Sequence, residues 1–174
     1  MTPVLVAAGS NVEPIAHLRR ALDALEREFA PLQVSGAYAN PAVGFEGDDF
    51  VNLVVRFETD LPLHEVIARL HRAESACGRP RDAPKWAPRS MDLDILLFGD
   101  EVRAEPGLTV PRPDLLRRPY MLGPAAELAP GTVHPTERRT LAELWRAMRR
   151  RGPAHALRPV DLGWAPRSAG EAGS

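Results

Sequence analysis

Two aspartates, Asp92 and Asp94, lie two positions apart within an apolar stretch that runs from Met91 to Phe98. Side chains alternate along a strand, so both carboxylates should project from the same face, roughly 7 Å apart. Desolvated carboxylates need cationic partners or a metal, and Mg²⁺ typically takes one or two carboxylates together with water and substrate phosphates. The pair therefore indicates a magnesium site. A pair of solvent-facing aspartates on an edge strand is the alternative.

The loop immediately before this strand carries an excess of positive charge. Four cations, Arg79, Arg81, Lys85 and Arg89, are opposed there only by Asp82. Guanidinium groups bind phosphate oxygens through paired hydrogen bonds, and cations next to metal-bound phosphates stabilise transferring groups. A basic loop that leads into paired carboxylates is therefore typical of a metal–polyphosphate site. An ordinary solvated loop is the alternative.

Three residues have side chains suited to a flat heterocycle: Trp86, Tyr120 and Asn52. Trp86 lies in the basic loop, where no local pattern requires a tryptophan, and Tyr120 follows a run of basic residues. Aromatic faces stack on bases, and an amide carries both donors and an acceptor for the edge of a ring. Packing of Trp86 over a local cluster, and satisfaction of neighbouring backbone by Asn52, are the alternatives.

Composition argues against several other kinds of protein. A net charge of −1 argues against a general nucleic-acid or membrane-surface binder. The sequence contains no P-loop motif, and the segment Gly9-Ser10-Asn11 is too short to form a phosphate cradle by itself. The single cysteine, Cys77, leaves no internal disulfide and no cysteine-based zinc cluster, which favours a reducing cytosol.

Hydrophobic periodicity predicts six elements in the order strand, helix, strand, strand, helix, strand. This order is typical of the α+β class, and specifically of a ferredoxin-like α/β sandwich in which helices pack on one face of an antiparallel sheet. The predicted strands cover residues 4–8, 32–38, 50–57 and 91–98, and the predicted helices cover residues 14–29 and 60–78.

The C-terminal half carries weaker patterns. Short helices are predicted over residues 114–118 and 120–128, and a capping box from Thr140 to Glu143 begins a last helix. The interpretation is a single catalytic domain over residues 1–151. Residues 152–174, rich in Gly, Ala, Pro and Ser, are predicted to be a poorly ordered tail that Trp164 could anchor in part.

The stretch Lys85-Trp86-Ala87-Pro88-Arg89-Ser90-Met91-Asp92-Leu93-Asp94-Ile95-Leu96-Leu97-Phe98-Gly99 resembles the signature of 6-hydroxymethyl-7,8-dihydropterin pyrophosphokinases, a family of folate-pathway enzymes. The likeness covers roughly residues 1 to 150, with further motifs in the family's order. These are Gly9-Ser10-Asn11, Tyr38-x-x-Pro41, Phe50-x-Asn52, Glu74, Arg79-x-Arg81, Leu108-Thr109-Val110-Pro111 and Arg118-x-Tyr120-Met121-Leu122.

The resemblance implies that the terminal pyrophosphate of ATP moves as a unit to the hydroxymethyl oxygen of the pterin and leaves AMP. It implies ATP as co-substrate and two Mg²⁺ ions held by Asp92 and Asp94. We also expect a cytoplasmic monomer, whose net charge argues against binding of nucleic acid or membrane. Two other classes stay open. A metal-dependent nucleotidyltransferase would release pyrophosphate, and a non-catalytic ferredoxin-like module would bind its ligand without regard to Mg²⁺.

The same resemblance assigns residues to three roles. The catalytic set is Arg79, Arg81, Arg89, Asp92 and Asp94. The ATP-binding set is Glu74, Arg79, Arg81, Trp86, Arg89, Ile95, Leu108, Thr109, Arg112 and Arg118. The pterin-binding set is Asn40, Pro41, Val43, Phe50, Asn52, Trp86 and Tyr120.

Three positions depart from the family's usual pattern. Arg112 stands after Val110-Pro111, where the family usually carries a histidine, so the charge is kept and any imidazole role is lost. Gly107 occupies a position that is sometimes basic, and Asn40 occupies one that is often threonine. We expect these changes to tune binding without abolishing it.

Overall fold

The computed structural model describes residues 1–40, 49–77, 91–151 and 157–167. Its strands are β1 (Thr2–Ser10), β2 (Gln33–Val34), β3 (Ala37–Asn40), β4 (Phe50–Thr59), β5 (Asp92–Phe98), β6 (Arg103–Glu105), β7 (Leu108–Val110) and β8 (Arg158–Val160). Its α-helices are α1 (Pro14–Phe29), α2 (Leu63–Ala76), α3 (Pro119–Leu128) and α4 (Leu141–Arg149), with a 3-10 helix at Pro113–Leu116.

An antiparallel sheet with strand order β5-β1-β4-β3-β8 forms the centre of the molecule, and β2 also pairs with β4. The strand β1 is central because its run from Val4 to Ala8 is apolar on both faces and is almost fully buried. The predicted α+β class and its order of elements are confirmed.

Helices cover both faces of the sheet, so the prediction of helices on one face was wrong. The first face packs against α1 and α2, with Leu18, Leu22 and Leu25 fully buried. The second face packs against α3 and α4. The physical reason is that the strands carry apolar residues on their second face too, including Leu5, Val54 and Leu97, which need their own cover.

The predicted strand over residues 32–38 is two short strands, β2 and β3. Ser35 interrupts them because its hydroxyl accepts a hydrogen bond from the backbone N–H of Val54 and donates one to the carbonyl of Gly36. The backbone N–H of Gly36 then donates to Glu127 on α3, at 2.7 Å. The hairpin of β6 and β7 was not predicted, because its strands are only three residues long. The turn between them contains Gly107, whose φ is 79°.

Part of the segment predicted to be a poorly ordered tail forms an edge strand. In this part, β8 pairs with β3, with Arg158 opposite Ala39. Trp164 does anchor the segment, because its indole N–H donates to Asp23 of α1 at 3.0 Å. No helix among the described residues is long and apolar enough to cross a membrane.

Candidate active site

A cavity of about 310 Å³ opens where one end of the sheet meets the 3-10 helix and the start of α3. Both the carboxylates and the amides singled out in the sequence contribute to its walls. Its lining residues are Ala7, Ala8, Gly9, Asn40, Phe50, Asn52, Asp92, Asp94, Arg112, Asp114, Tyr120 and Met121.

The register of the sheet explains why these groups meet. On the central strand β1, Gly9 pairs with Asp92 of β5 on one side and with Asn52 of β4 on the other. A Cβ atom at Gly9 would collide with Oδ1 of Asn52. The position therefore needs a glycine, since only the missing side chain lets the Asn52 amide lie against the backbone.

The carboxylate end of the cavity, which we define as Asp92, Asp94, Arg112 and Asp114, combines three negative charges with one guanidinium. Nη1 of Arg112 lies 3.5 Å from Oδ1 of Asp94, and Nη2 lies 3.4 Å from Oδ2 of Asp114. The backbone N–H of Arg112 donates to the carbonyl of Leu96 at 2.9 Å, which fixes this arginine beside β5.

The amide end of the cavity, which we define as Asn40, Phe50, Asn52 and Tyr120, combines two amide side chains with two aromatic rings. The Asn52 side chain is only 8% exposed, and its Nδ2 donates a hydrogen bond to Oδ1 of Asn40. Burial raises the pKa of the Tyr120 hydroxyl, and the positive charge of Arg118 opposes that shift. Tyr120 therefore stays neutral near pH 7 and offers an uncharged aromatic face beside the amides.

A second cavity of about 100 Å³ adjoins the first and shares Asp94 and Arg112 with it. The predicted nucleotide-binding residues Ile95, Leu108 and Thr109 line this second cavity. Two apolar side chains and one hydroxyl that could accompany a nucleotide thus line the cavity next to Asp94 and Arg112. The other lining residues are Ile67, Leu70, His71, Leu93 and Gly107.

Two further predicted ATP-binding residues lie outside both cavity linings. An oxygen of Glu74 accepts a hydrogen bond from the backbone N–H of Leu93 at 3.4 Å, which ties α2 to the strand of the aspartate pair. Arg118 is the N-cap residue of α3, close enough to Tyr120 to affect its pKa. Glu74 and Arg118 therefore lie near the site, whereas their contacts with ATP stay a prediction.

Six predicted site residues lie outside the described residues, so their assigned roles stay predictions. They are Arg79, Arg81, Trp86 and Arg89 of the basic loop, and Pro41 and Val43 of the preceding loop.

Asp114, His71 and Met121 also line the two cavities and were not predicted as site residues. Asp114 had a signal in principle, because it lies two residues after Arg112 in a segment of mixed charge. His71 lies on α2, and its side chain is exposed even though it lines the second cavity.

The largest cavity described, about 520 Å³, lies elsewhere, between β3, α3 and α4. Its walls include Tyr38, Glu127 and Trp145. The hydroxyl of Tyr38 donates to a carboxylate oxygen of Glu127, so these polar groups already hold β3 against α3. The aspartate pair and Arg112, whose charges would suit metal-bound phosphates, line the smaller cavity instead.

The donor set of the carboxylate end fits Mg²⁺. Within residues 1–40, 49–77, 91–151 and 157–167, no three His, Cys, Asp or Glu side chains form a complete metal cage. Two strand carboxylates that open onto a cavity suit an ion that keeps several water ligands and takes others from substrate phosphates. They suit zinc less well, since structural zinc sites are closed by four protein ligands that are mostly nitrogen or sulfur.

The fold and the site together define an α+β enzyme that brings carboxylates, a guanidinium and amides to one small-molecule cavity. Residues 5–130 match the family described as 7,8-dihydro-6-hydroxymethylpterin-pyrophosphokinase, or HPPK. The chain therefore belongs to this family, as its motifs predict.

Curated relatives agree with this assignment. The 2-amino-4-hydroxy-6-hydroxymethyldihydropteridine pyrophosphokinase of Aquifex aeolicus is 35% identical over 145 residues, which cover 82% of this chain and 90% of the relative. The protein of the same name from Pseudomonas aeruginosa is 40% identical over 131 residues, which cover 73% of this chain and 80% of the relative. The predicted function, transfer of pyrophosphate from ATP to 6-hydroxymethyl-7,8-dihydropterin in folate biosynthesis, is confirmed.

Solved structures are similar to this chain in fold. The wild-type HPPK-DHPS protein of Plasmodium falciparum superposes with a TM-score of 0.68 at 13% sequence identity, over 86% of this chain and 45% of the solved chain. This chain thus spans less than half of that protein, and at such low identity the likeness shows the fold alone.

Proposed function

We propose that the pyrophosphate transfer takes place in the cavity at the end of β1, with Mg²⁺ bound by Asp92 and Asp94. The observation that carries the proposal is the register of β1, where Gly9 pairs with Asp92 on one side and with Asn52 on the other. This register supports a metal–phosphate subsite and a ring subsite on the two sides of β1, with only that strand between them.

The carboxylate end serves the triphosphate. Asp92 and Asp94 would hold Mg²⁺ there, and the ion would supply positive charge next to the phosphate groups during the transfer. Arg112 contributes a permanent positive charge at the junction of the two cavities, and guanidinium groups suit phosphate oxygens. We propose that the adenosine end of ATP extends into the second cavity, along Ile95, Leu108 and Thr109.

The amide end serves the pterin. The Nδ2 group of Asn52 has two hydrogens, and the hydrogen bond to Asn40 uses one of them. The second hydrogen and Oδ1 can then read the donor–acceptor edge of the ring. Phe50 and Tyr120 supply aromatic faces at the same cavity wall, and offset stacking on a flat ring is favourable.

The transfer itself requires no covalent bond between the protein and a substrate. The hydroxymethyl oxygen of the pterin forms a bond to the β-phosphorus of ATP as the bond from that phosphorus to the α,β-bridging oxygen breaks. AMP leaves with that bridging oxygen, and the proton of the pterin hydroxyl group passes to solvent. Catalysis of this kind depends on positioning and on positive charge. No side-chain nucleophile is needed, and the described residues of the cavity include no serine, threonine or cysteine.

We further propose that the chain acts as a cytoplasmic monomer. Both substrates are small molecules, and the cavity is formed within one chain. The single thiol, Cys77, is buried and unpaired by any disulfide, as suits a reducing compartment.

Separation of the reaction products tests the proposal. Purified protein is incubated with ATP, with and without 6-hydroxymethyl-7,8-dihydropterin and with and without a chelator, and AMP, ADP and pyrophosphate are resolved by ion-exchange chromatography. We expect AMP only when pterin and Mg²⁺ are both present. Formation of ADP, release of free pyrophosphate as the nucleotidyltransferase alternative requires, or turnover that persists in chelator would contradict the proposal.

A further inference from the structure

Arg112 occupies a position where one cation serves two carboxylates. Its guanidinium lies 3.5 Å from Oδ1 of Asp94 and 3.4 Å from Oδ2 of Asp114. The three side chains are 35%, 33% and 34% exposed, so each has lost about two thirds of its contact with solvent. Ion pairs of this kind are screened less than pairs on the open surface.

The guanidinium is incompletely satisfied where it lies. Among the residues that the structure describes, no acceptor receives the hydrogen bond of the buried Nε of Arg112. A buried donor without an acceptor is costly. The placement beside Asp94 therefore carries a free-energy cost that a shift of the guanidinium towards a better acceptor would remove, and Arg112 lines both cavities.

The oxygen that Arg112 contacts belongs to a carboxylate that the proposed function assigns to the metal. A guanidinium 3.5 Å from Oδ1 of Asp94 and a divalent cation bound to that carboxylate repel each other. Asp114 supplies a second anchor, so Arg112 can leave Asp94 without leaving the site. Phosphate oxygens next to the metal would offer the acceptors that Nε lacks.

We propose that Arg112 acts as an exchangeable cation: it pairs with Asp94 in the metal-free enzyme and transfers to phosphate oxygens when metal and nucleotide bind together. This inference rests on the proposed function, because it takes Asp94 as a metal ligand. Its consequence is that the effect of Arg112 on metal affinity changes sign when nucleotide binds. Arg112 opposes metal binding to the free enzyme and promotes metal binding in the presence of nucleotide.

Metal affinity, measured without turnover, tests this change of sign. Mn²⁺ is titrated by electron paramagnetic resonance into the enzyme alone and into the enzyme with α,β-methylene ATP, whose bridging carbon blocks the transfer. The test variant is Arg112→Met, which keeps the aliphatic stem and removes the charge. Arg112→Lys keeps the charge, and Arg117→Ala removes an equal charge from an exposed neighbour outside both cavities.

We expect Arg112→Met to bind Mn²⁺ about tenfold more tightly than the wild type without nucleotide, since one nearby repulsive charge is gone. With the ATP analogue we expect it to bind Mn²⁺ about tenfold more weakly, since a charged phosphate contact is lost. Arg112→Lys should lie near the wild type in the nucleotide-free titration, and Arg117→Ala should match the wild type in both.

The inference is overturned if Arg112→Met leaves nucleotide-free Mn²⁺ affinity unchanged or weaker, or if Arg117→Ala reproduces its effect. Circular dichroism confirms that each variant is folded, and Arg112→His at pH 8 replaces Arg112→Met if that variant does not fold. Asp94→Asn in the same titration separates the two proposals. Loss of Mn²⁺ binding in Asp94→Asn with no effect of Arg112→Met rejects this inference alone, whereas full binding in Asp94→Asn rejects the metal assignment itself.

Discussion

The carboxylate end and the amide end of the cavity lie on opposite sides of one strand, β1, and differ in how they are held together. The carboxylate end depends on charge, with Arg112 between Asp94 and Asp114. The amide end depends on close packing and a neutral hydrogen bond, with Asn52 against Gly9 and paired with Asn40. The proposed function assigns one substrate to each end, and the two ends are held together by physically separable means, so we expect variants at one end to leave the other largely intact.

Loss of a charge at the carboxylate end should have the largest effect. Asp94→Asn keeps the size of the side chain and removes the negative charge that we propose binds the metal, so we expect kcat to fall by about two to three orders of magnitude. Steady-state AMP formation measures the change. The matched control is Asp100→Asn, an exposed aspartate in the turn after the same strand. An equal loss in both variants would show that the effect does not arise at the metal site.

The strand between the two ends should be the next most sensitive point. Gly9→Ala drives a methyl group into Oδ1 of Asn52, and overpacking of this kind typically costs about 1–3 kcal/mol of stability. We expect KM for the pterin to rise more than KM for ATP in steady-state assays. Unfolding in urea measures the loss of stability. Gly131→Ala is the control, since a Cβ atom there meets nothing within 4 Å. A larger rise in KM for ATP would show that Gly9 supports the carboxylate end instead.

At the amide end, the hydrogen bond between Asn40 and Asn52 should act only by orienting the Asn52 amide. Asn40→Ala removes the acceptor for Nδ2 of Asn52 and lets the amide rotate, so we expect KM for the pterin to rise by up to about tenfold, as for one hydrogen bond. The KM for ATP should stay at its wild-type value. Asn40→Asp, which keeps the accepting oxygen, should restore most of the loss if orientation is the cause. If Asn40→Ala has no effect on the pterin, Asn52 is held by other contacts.

The smallest effect concerns the support behind the amide end, where Tyr38 of β3 donates a hydrogen bond to Glu127. This hydrogen bond raises the pKa of Tyr38 to about 12, with burial adding to the shift. A folded-state pKa above the usual 10.0 means that the contribution to stability is fully present below pH 10 and is lost as pH rises towards 12.

Tyr38→Phe should therefore lower stability modestly at pH 8, and it should flatten the loss of stability between pH 10 and pH 12. Absorbance at 295 nm reports tyrosine ionisation directly, and Tyr120 is the other tyrosine in the chain. A wild-type titration in which both tyrosines ionise at their ordinary pKa would contradict the role of Glu127.

The parts of the molecule with strong local patterns could be predicted from the sequence. The strand of the aspartate pair is a continuous apolar run, and α1 shows regular spacing of its buried leucines, so tertiary contacts had little to override. The capping box at Thr140 is also local, and its hydroxyl accepts from the backbone N–H of Glu143 at 3.1 Å as expected. Membership of the family followed from ordered motifs.

What could not be predicted depends on contacts between distant segments. The break at Ser35 arises from hydrogen bonds to Val54. The edge strand β8 is stabilised by pairing with β3. Its three residues are too few to show a periodicity that would predict a strand. The second layer of helices is required by the apolar second face of the sheet, and that face is visible only once the register is known.

The candidate site shows the same division. The Asp92 and Asp94 pair and Asn52 were identified from their residue types within apolar strands. The bridge from Asp94 through Arg112 to Asp114 was not predicted, because it joins β5 to a segment that follows the hairpin of β6 and β7. Only the fold brings those charges together.

The separation of the two ends is the central claim, and one binding experiment tests it most directly. Isothermal titration calorimetry measures the affinity of Mg²⁺ and α,β-methylene ATP together for the wild type, Asp94→Asn and Asn52→Ala. Asp94→Asn should bind at least about tenfold more weakly, since a charge is lost from the metal site. Asn52→Ala should stay within about twofold of the wild type, since its side chain lies across β1. Equal weakening in both variants, or full affinity in Asp94→Asn, would contradict the account.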